Sequence, residues 1–258
     1  MDYTIAETFT LPSHGVIYEK KINPEVKIRS MTTRDEMLRL APTKPGNQYK
    51  LMAEIIDSCL VNPVGISSYD MCIGDYQFLM YKLRIVTYDN NYKLSFECPN
   101  CKHWIDATID LDTALELREI TEFDFEEEMT VHLPKTGKDV RLKLQTPRMY
   151  DQVEEKCEEF RKKVAKAEGS ARYQDPHVLY QVMALIDKVD GEKLPEYRLE
   201  QFVSTLPLAD ANVILQKAED INDLVGYGML IEHECPDCGF TNYLPLRITS
   251  EFFRPSVD

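Results

Sequence analysis

The chain of 258 residues has no run of about 20 apolar residues, because charge interrupts its apolar stretches every few positions, and no segment reads as a membrane-spanning helix. Its opening, Met1-Asp2-Tyr3-Thr4-Ile5-Ala6-Glu7, lacks the basic start and apolar middle of a secretory signal, so synthesis is expected to end in the cytoplasm. Positive charge is in deficit: 30 Lys and Arg stand against 44 Asp and Glu, a formal charge of −14 that on average repels a phosphate backbone and argues against nucleic acid as a partner. Phosphate-cradling and catalytic signatures are missing too, with no GxGxxG, GxxxxGK[ST], HExxH or GxSxG. His132 and His177 have no adjacent nucleophile, so neither an enzyme nor a small-molecule substrate is indicated.

What is there is ordinary for a folded globular chain, 43% apolar and 29% charged residues. Acidic residues cluster from Glu122 to Glu128 and at Glu154, Glu155, Glu158 and Glu159, reading as solvated faces or as a docking surface for a basic partner. Seven cysteines, an odd number without an export signal, exclude a disulfide framework. Cys59, Cys72 and Cys157 lie in apolar or helical surroundings and read as inert core thiols. The other four form two CPxC pairs, Cys98/Cys101 and Cys235/Cys238.

Those pairs close two halves whose short matches run in the same order. Leu11-Pro12-Ser13-His14-Gly15 matches Leu133-Pro134-Lys135-Thr136-Gly137, and Thr32-Thr33-Arg34 matches Thr146-Pro147-Arg148. Ile55-Ile56-Asp57 matches Leu185-Ile186-Asp187, and Gly74-Asp75 through Lys82 matches Ala209-Asp210 through Lys217. Glu97-Cys98-Pro99-Asn100-Cys101 matches Glu234-Cys235-Pro236-Asp237-Cys238; after it, Ala107, Ile109 and Leu111 fall opposite Leu244, Leu246 and Ile248. The second half is shorter after its Leu-Pro turn, which a trimmed hairpin would allow, and longer around Glu154 to Asp175, which an extended helix would absorb. We therefore expect an α+β protein, internally duplicated into residues 1–120 and 121–258.

In each half, alternation (Val26, Ile28; Val140, Leu142, Leu144) indicates a small β-hairpin. Thr33 with Glu36 reads as a capping box and Thr146-Pro147 as a helix start. Apolar helices are expected at 48–60 and 176–188, and Asp75 and Asp210 as N-caps of the next helices. The helix after Asp75 is apolar on two faces, through Tyr76, Leu79, Met80, Leu83 and Val86 and through Phe78, Tyr81, Ile85 and Tyr88; it is buried on both sides or awaits a partner.

Two cysteines separated by two residues reach one ion from a tight turn, and zinc takes four such ligands. Gly239 after the second pair permits a positive φ; Lys102 holds that place after the first, at a cost of about 1 kcal/mol if left-handed, or marks a differently shaped knuckle. Residues 102 to 234 separate the pairs, far more than in an ordinary ribbon, but two equivalent halves packed about a pseudo-twofold axis would bring their knuckles face to face. The expectation is one structural zinc held by Cys98, Cys101, Cys235 and Cys238 as a split zinc ribbon, with Lys102, His103 and His233 balancing the thiolate charge. The rivals are two separate sites using His103 and His233, redox-active pairs, and plain buried thiols.

Leu11-Pro12-Ser13-His14-Gly15-Val16-Ile17-Tyr18 followed by Val26-Lys27-Ile28-Arg29-Ser30-Met31-Thr32-Thr33-Arg34-Asp35-Glu36 resembles the N-terminal pattern of the T4-type bacteriophage baseplate protein family. That resemblance implies a non-enzymatic component or assembly factor of the baseplate hub, with other tail and hub proteins as partners. It places the protein in the host cytoplasm during assembly or in the virion. A zinc-ribbon adaptor in transcription or nucleic-acid handling is the alternative.

Overall fold

The computed structural model describes residues 4–42, 47–167, 175–228, 230–245 and 250–253. The fold is α+β, with small antiparallel sheets and eight α-helices among the described residues. None of these helices is long and apolar enough to cross a membrane.

The chain opens with β1 (Ala6–Thr10) paired to β2 (Glu25–Arg29), where the alternating Val26 and Ile28 point inward. Helix α1 (Thr33–Arg39) starts one residue earlier than expected: Thr32 and Asp35, rather than Thr33 and Glu36, form the capping box. Asp35 also takes a bidentate ion pair from Arg29, so its carboxylate serves cap and tertiary contact together. Next come α2 (Gln48–Cys59), a short 3-10 turn at Ser68–Asp70, and α3 (Ile73–Thr87). The first cysteine pair joins β3 (Asn91–Glu97) to β4 (Trp104–Asp110).

After β5 (Leu117–Arg118) and the short α4 (Phe125–Glu128), β6 (Thr130–His132) and β7 (Asp139–Leu142) form a hairpin. Where the first hairpin has the long connection Leu11–Pro24, this one has only Leu133–Lys138. The Met149 N–H donates to the Thr146 hydroxyl oxygen at 3.3 Å, and Pro147 opens the 21-residue helix α5 (Pro147–Ala167). Residues 168–174 of the charged stretch lie outside the described residues.

The expected helix 176–188 stops early. Helix α6 covers His177–Leu185, and Ile186–Val189 is instead β8, paired with β7. β-branched residues ahead of a turn with positive φ at Asp190 and Gly191 favour extension, and an available strand edge decides the outcome. Helices α7 (Glu196–Ser204) and α8 (Leu208–Asn222) lead to β9 (Gly226–Tyr227), which pairs with β5. The second cysteine pair joins β10 (Leu230–Glu234) to β11 (Thr241–Pro245). Of the alternation expected beyond it, Leu246 and Ile248 lie outside the described residues.

Asp75 and Asp210 are not N-caps. Each is the third residue of its helix, behind Cys72 and Pro207, which make no side-chain cap bond. Their carboxylates reach across to the Leu-Pro turns instead. Asp75 accepts from the Ser13 N–H (3.1 Å), the Ser13 hydroxyl (2.5 Å) and the Tyr18 hydroxyl (2.6 Å). Asp210 accepts from the Lys135 N–H, the Thr136 N–H and the Thr136 hydroxyl, all at 2.9 Å. An acidic group in the first turn also suits the helix dipole.

Two cores result. One gathers residues from Leu11 to Leu115 and also Tyr227, Ile231, Cys235, Phe252 and Phe253; the other gathers Met129 to Val225 with Ile17 and Cys72. Helix α3 is buried on both faces, so its excess apolar surface is used internally and is not a docking face. Tyr81 packs on Tyr227 and Phe252, with ring centroids 5.0 and 5.1 Å away. Gly74 lets the Val225–Gly226 backbone cross α3 closely, since a Cβ on Gly74 would lie 2.1 Å from the Val225 carbonyl oxygen. Arg84, fully buried, donates to the carbonyls of Phe252 (3.0 Å), Asp89 (2.6 Å) and Asn91 (3.0 Å).

Candidate metal centre

Each cysteine pair occupies the turn of a two-stranded hairpin, and the two turns have matching backbones. The Cys98 N–H donates to the His103 carbonyl at 2.9 Å and the Lys102 N–H to the Cys98 carbonyl at 3.0 Å. In the second turn the Cys235 N–H donates to the Phe240 carbonyl and the Gly239 N–H to the Cys235 carbonyl, both at 2.9 Å. Lys102 has φ 64° and Gly239 has φ 69°. The first knuckle is therefore not shaped differently; Lys102 adopts the left-handed conformation that glycine takes in the second.

The four sulfurs converge. Cys98 Sγ is 3.8 Å from Cys238 Sγ, Cys101 Sγ is 3.7 Å from Cys235 Sγ, and all four lie within 4.8 Å of one another. A disulfide would need about 2.05 Å, so these are free thiols. A tetrahedral ion with metal–sulfur bonds of about 2.3 Å sets its sulfurs about 3.8 Å apart, the spacing of the Cys98–Cys238 and Cys101–Cys235 contacts. The donor set fits one four-coordinate ion, and the four sulfurs are too close to serve two separate sites. Neither pair opens a helix, the setting that usually activates a CxxC thiol for redox exchange.

Burial alternates within each pair. Cys98 and Cys235 are buried under the hairpins, Cys101 is half-buried and Cys238 faces solvent. An Asn100 amide N–H donates to Cys238 Sγ at 3.5 Å, and with the Phe240 backbone N–H it pulls that thiol down to about 6. Cys101 receives the His103 backbone N–H, which favours its thiolate, but burial and the crowding of Cys238, Cys235 and Cys98 push it up to about 12. Four thiols this close cannot all ionise without a cation between them.

Lys102, His103 and His233 are the residues expected to balance the thiolate charge, and the side chains of Lys102 and His233 have partners besides the sulfurs. The Lys102 ammonium pairs with Glu97 at 3.4 Å, and the His233 ring packs edge-on against Phe96 with centroids 5.7 Å apart. His103 contributes its backbone. The donors to sulfur are Asn100 and the backbone N–H groups of His103 and Phe240. Asn100 was not singled out from sequence; the signal available was that its counterpart, Asp237, cannot donate. A groove of about 620 Å³ between the hairpins, lined by Phe96, Pro99, Phe240 and Tyr243 among others, was also not legible.

Comparison with known proteins gives one match. A family model described as T4 bacteriophage base plate protein covers residues 4–254, nearly the whole chain. No curated protein and no solved structure matches. With the N-terminal LPSxG turn and the matching knuckles in place along that span, the chain belongs to the T4 bacteriophage base plate protein family.

Proposed function

We propose that this protein is a non-enzymatic structural or assembly component of a contractile-tail baseplate hub, held together by one structural zinc ion at Cys98, Cys101, Cys235 and Cys238. The observation that carries the metal reading is the quartet of sulfurs, drawn from positions 134 to 140 residues apart yet spaced for one tetrahedral ion. Zinc suits an all-thiolate, four-coordinate set, and four protein ligands leave no open position for a substrate water. Family membership supports the baseplate role, with other tail and hub proteins as partners and the virion tail as destination after assembly in the host cytoplasm.

We read residues 1–120 and 121–258 as two copies of one unit whose knuckles form a split zinc ribbon. Three matched details support this: Asp75 and Asp210 at the third position of equivalent helices, both clamping a Leu-Pro turn; Lys102 and Gly239, both left-handed; and the same pair of backbone hydrogen bonds in each knuckle. The copies are not independent bodies, because β9, β10 and Phe252 complete the core of the first.

Tagged protein recovered from infected cells should carry one zinc and co-purify with hub proteins, and peptide mass spectrometry of mature particles should then tell component from assembly factor. Recovery without hub proteins, together with a salt-sensitive shift of DNA, would replace this reading with the nucleic-acid adaptor.

A further inference from the structure

The groove between the two knuckle hairpins has an unusual wall. Residues 239–244 line it consecutively, and because successive side chains of a strand point to opposite faces, such a run can border one groove only along the strand's edge. That strand, β11, pairs with β10 alone among the described strands, so its other edge joins no ladder among the described residues. Across the groove stand Phe96, Glu97 and Pro99 at the end of β3, which likewise pairs with β4 alone among the described strands. Phe240 and Tyr243 are 43% and 60% exposed, large apolar surface left open beside an unpaired edge.

Charge selects the occupant. Residues 230–245 carry Glu232, Glu234 and Asp237 and no Lys or Arg, while Glu97 lies in the groove. Four thiolates on a divalent ion would add about two further negative charges next to Pro99 and Gly239, the lining residues that adjoin the cysteines in sequence. Lys102, the one lysine of the adjoining knuckle turn, offsets Glu97 at 3.4 Å, so the net acidic charge comes from Glu232, Glu234 and Asp237.

We propose that this groove binds an extended segment of another tail protein by strand addition, a segment with alternating apolar residues flanked by lysine or arginine. The backbone edge of β11 supplies register, the apolar wall takes every second side chain, and the acidic rim takes the flanks. The inference rests on the zinc reading, since the ion fixes the distance between the two walls.

The test is an array of peptides of about fifteen residues, long enough for one strand with flanks, tiling the other tail proteins of the same phage and probed with the full zinc-loaded chain. The zinc content of the same preparation is measured separately. Bound peptides should share the apolar alternation and basic flanks. They should lose binding by about tenfold or more when a central residue becomes proline, which cannot join a ladder. Tyr243→Lys, at an exposed position, should weaken them similarly with zinc content unchanged, and Phe240→Asp should do so more strongly. Zinc-loaded protein that binds no peptide, selects acidic ones, or is indifferent to Tyr243→Lys overturns the groove and leaves the metal site standing. Protein that holds no zinc overturns the metal reading, whatever the peptides do.

Discussion

The two aspartate clamps perform the same task, both fully buried, with opposite pulls on the carboxyl proton. Asp75 is closed in beside the buried Cys72, and burial pushes its carboxyl above the ordinary range even though Ser13 and Tyr18 donate to it. Asp210 is covered too, but the donors from Lys135 and Thr136, with the Lys135 charge beside them, outweigh burial and hold it below that range. The same clamp thus resists ionisation in the first half and welcomes it in the second. What the pair teaches is that a shared structural role does not fix a shared charge state, which follows from the balance of burial against donors at each carboxylate.

The strongest way to break the comparison is at the centre the halves share. Cys98→Ser and Cys238→Ser should be equally damaging despite their different burial, each abolishing metal binding and costing about 4 kcal/mol or more. Thermal melts with metal analysis check this, and a variant lacking all four cysteines that melts like the parent would refute it. Next in size is Gly74→Ala, which forces the crossing backbone at Val225 apart and should cost about 3 kcal/mol. Its counterpart Ala209 already carries a Cβ, so Ala209→Gly should cost only about 1 kcal/mol, and comparable losses in urea unfolding would remove the asymmetry.

The clamps themselves separate by pH. A raised folded-state pKa gives stability that is full in acid and lost as pH rises through it, so Asp75→Asn, at a cost of about 2 kcal/mol from mismatched donors, should flatten that loss. A lowered folded-state pKa gives stability present at neutral pH and lost as pH falls through it, so Asp210→Asn should remove a neutral-pH gain instead. Urea titrations from about pH 3 to 7 should show these slopes with opposite sign, and parallel slopes would contradict the assigned shifts. The smallest effect is at the knuckles. Lys102→Gly should stabilise by up to about 1 kcal/mol and Gly239→Lys destabilise by as much, read as opposite shifts in melting temperature.

The cysteine quartet was legible because ligand chemistry is local: CPxC names its own turn, and the expectation that the two pairs meet agrees with the convergence of their sulfurs. Contacts set by the rest of the fold were not. An aspartate near a helix start reads as a cap, and nothing local says that Asp75 and Asp210 face a turn across the core. Leu185-Ile186-Asp187 carries a helical pattern whose outcome is decided by the free edge of β7. Tyr81 and its neighbours left burial and docking both open, because the residues that cover them, Tyr227 and Phe252, come from the far end of the sequence.

That last dependence has a temporal side. Arg84 finds its Phe252 carbonyl 168 residues later. At a ribosomal pace of about 5 to 20 residues per second, roughly 10 to 30 s pass between the two. Throughout that interval the Phe252 carbonyl and ring that cover Arg84 and Tyr81 do not yet exist, so this part of the first core can close only after the far end of the sequence has been made.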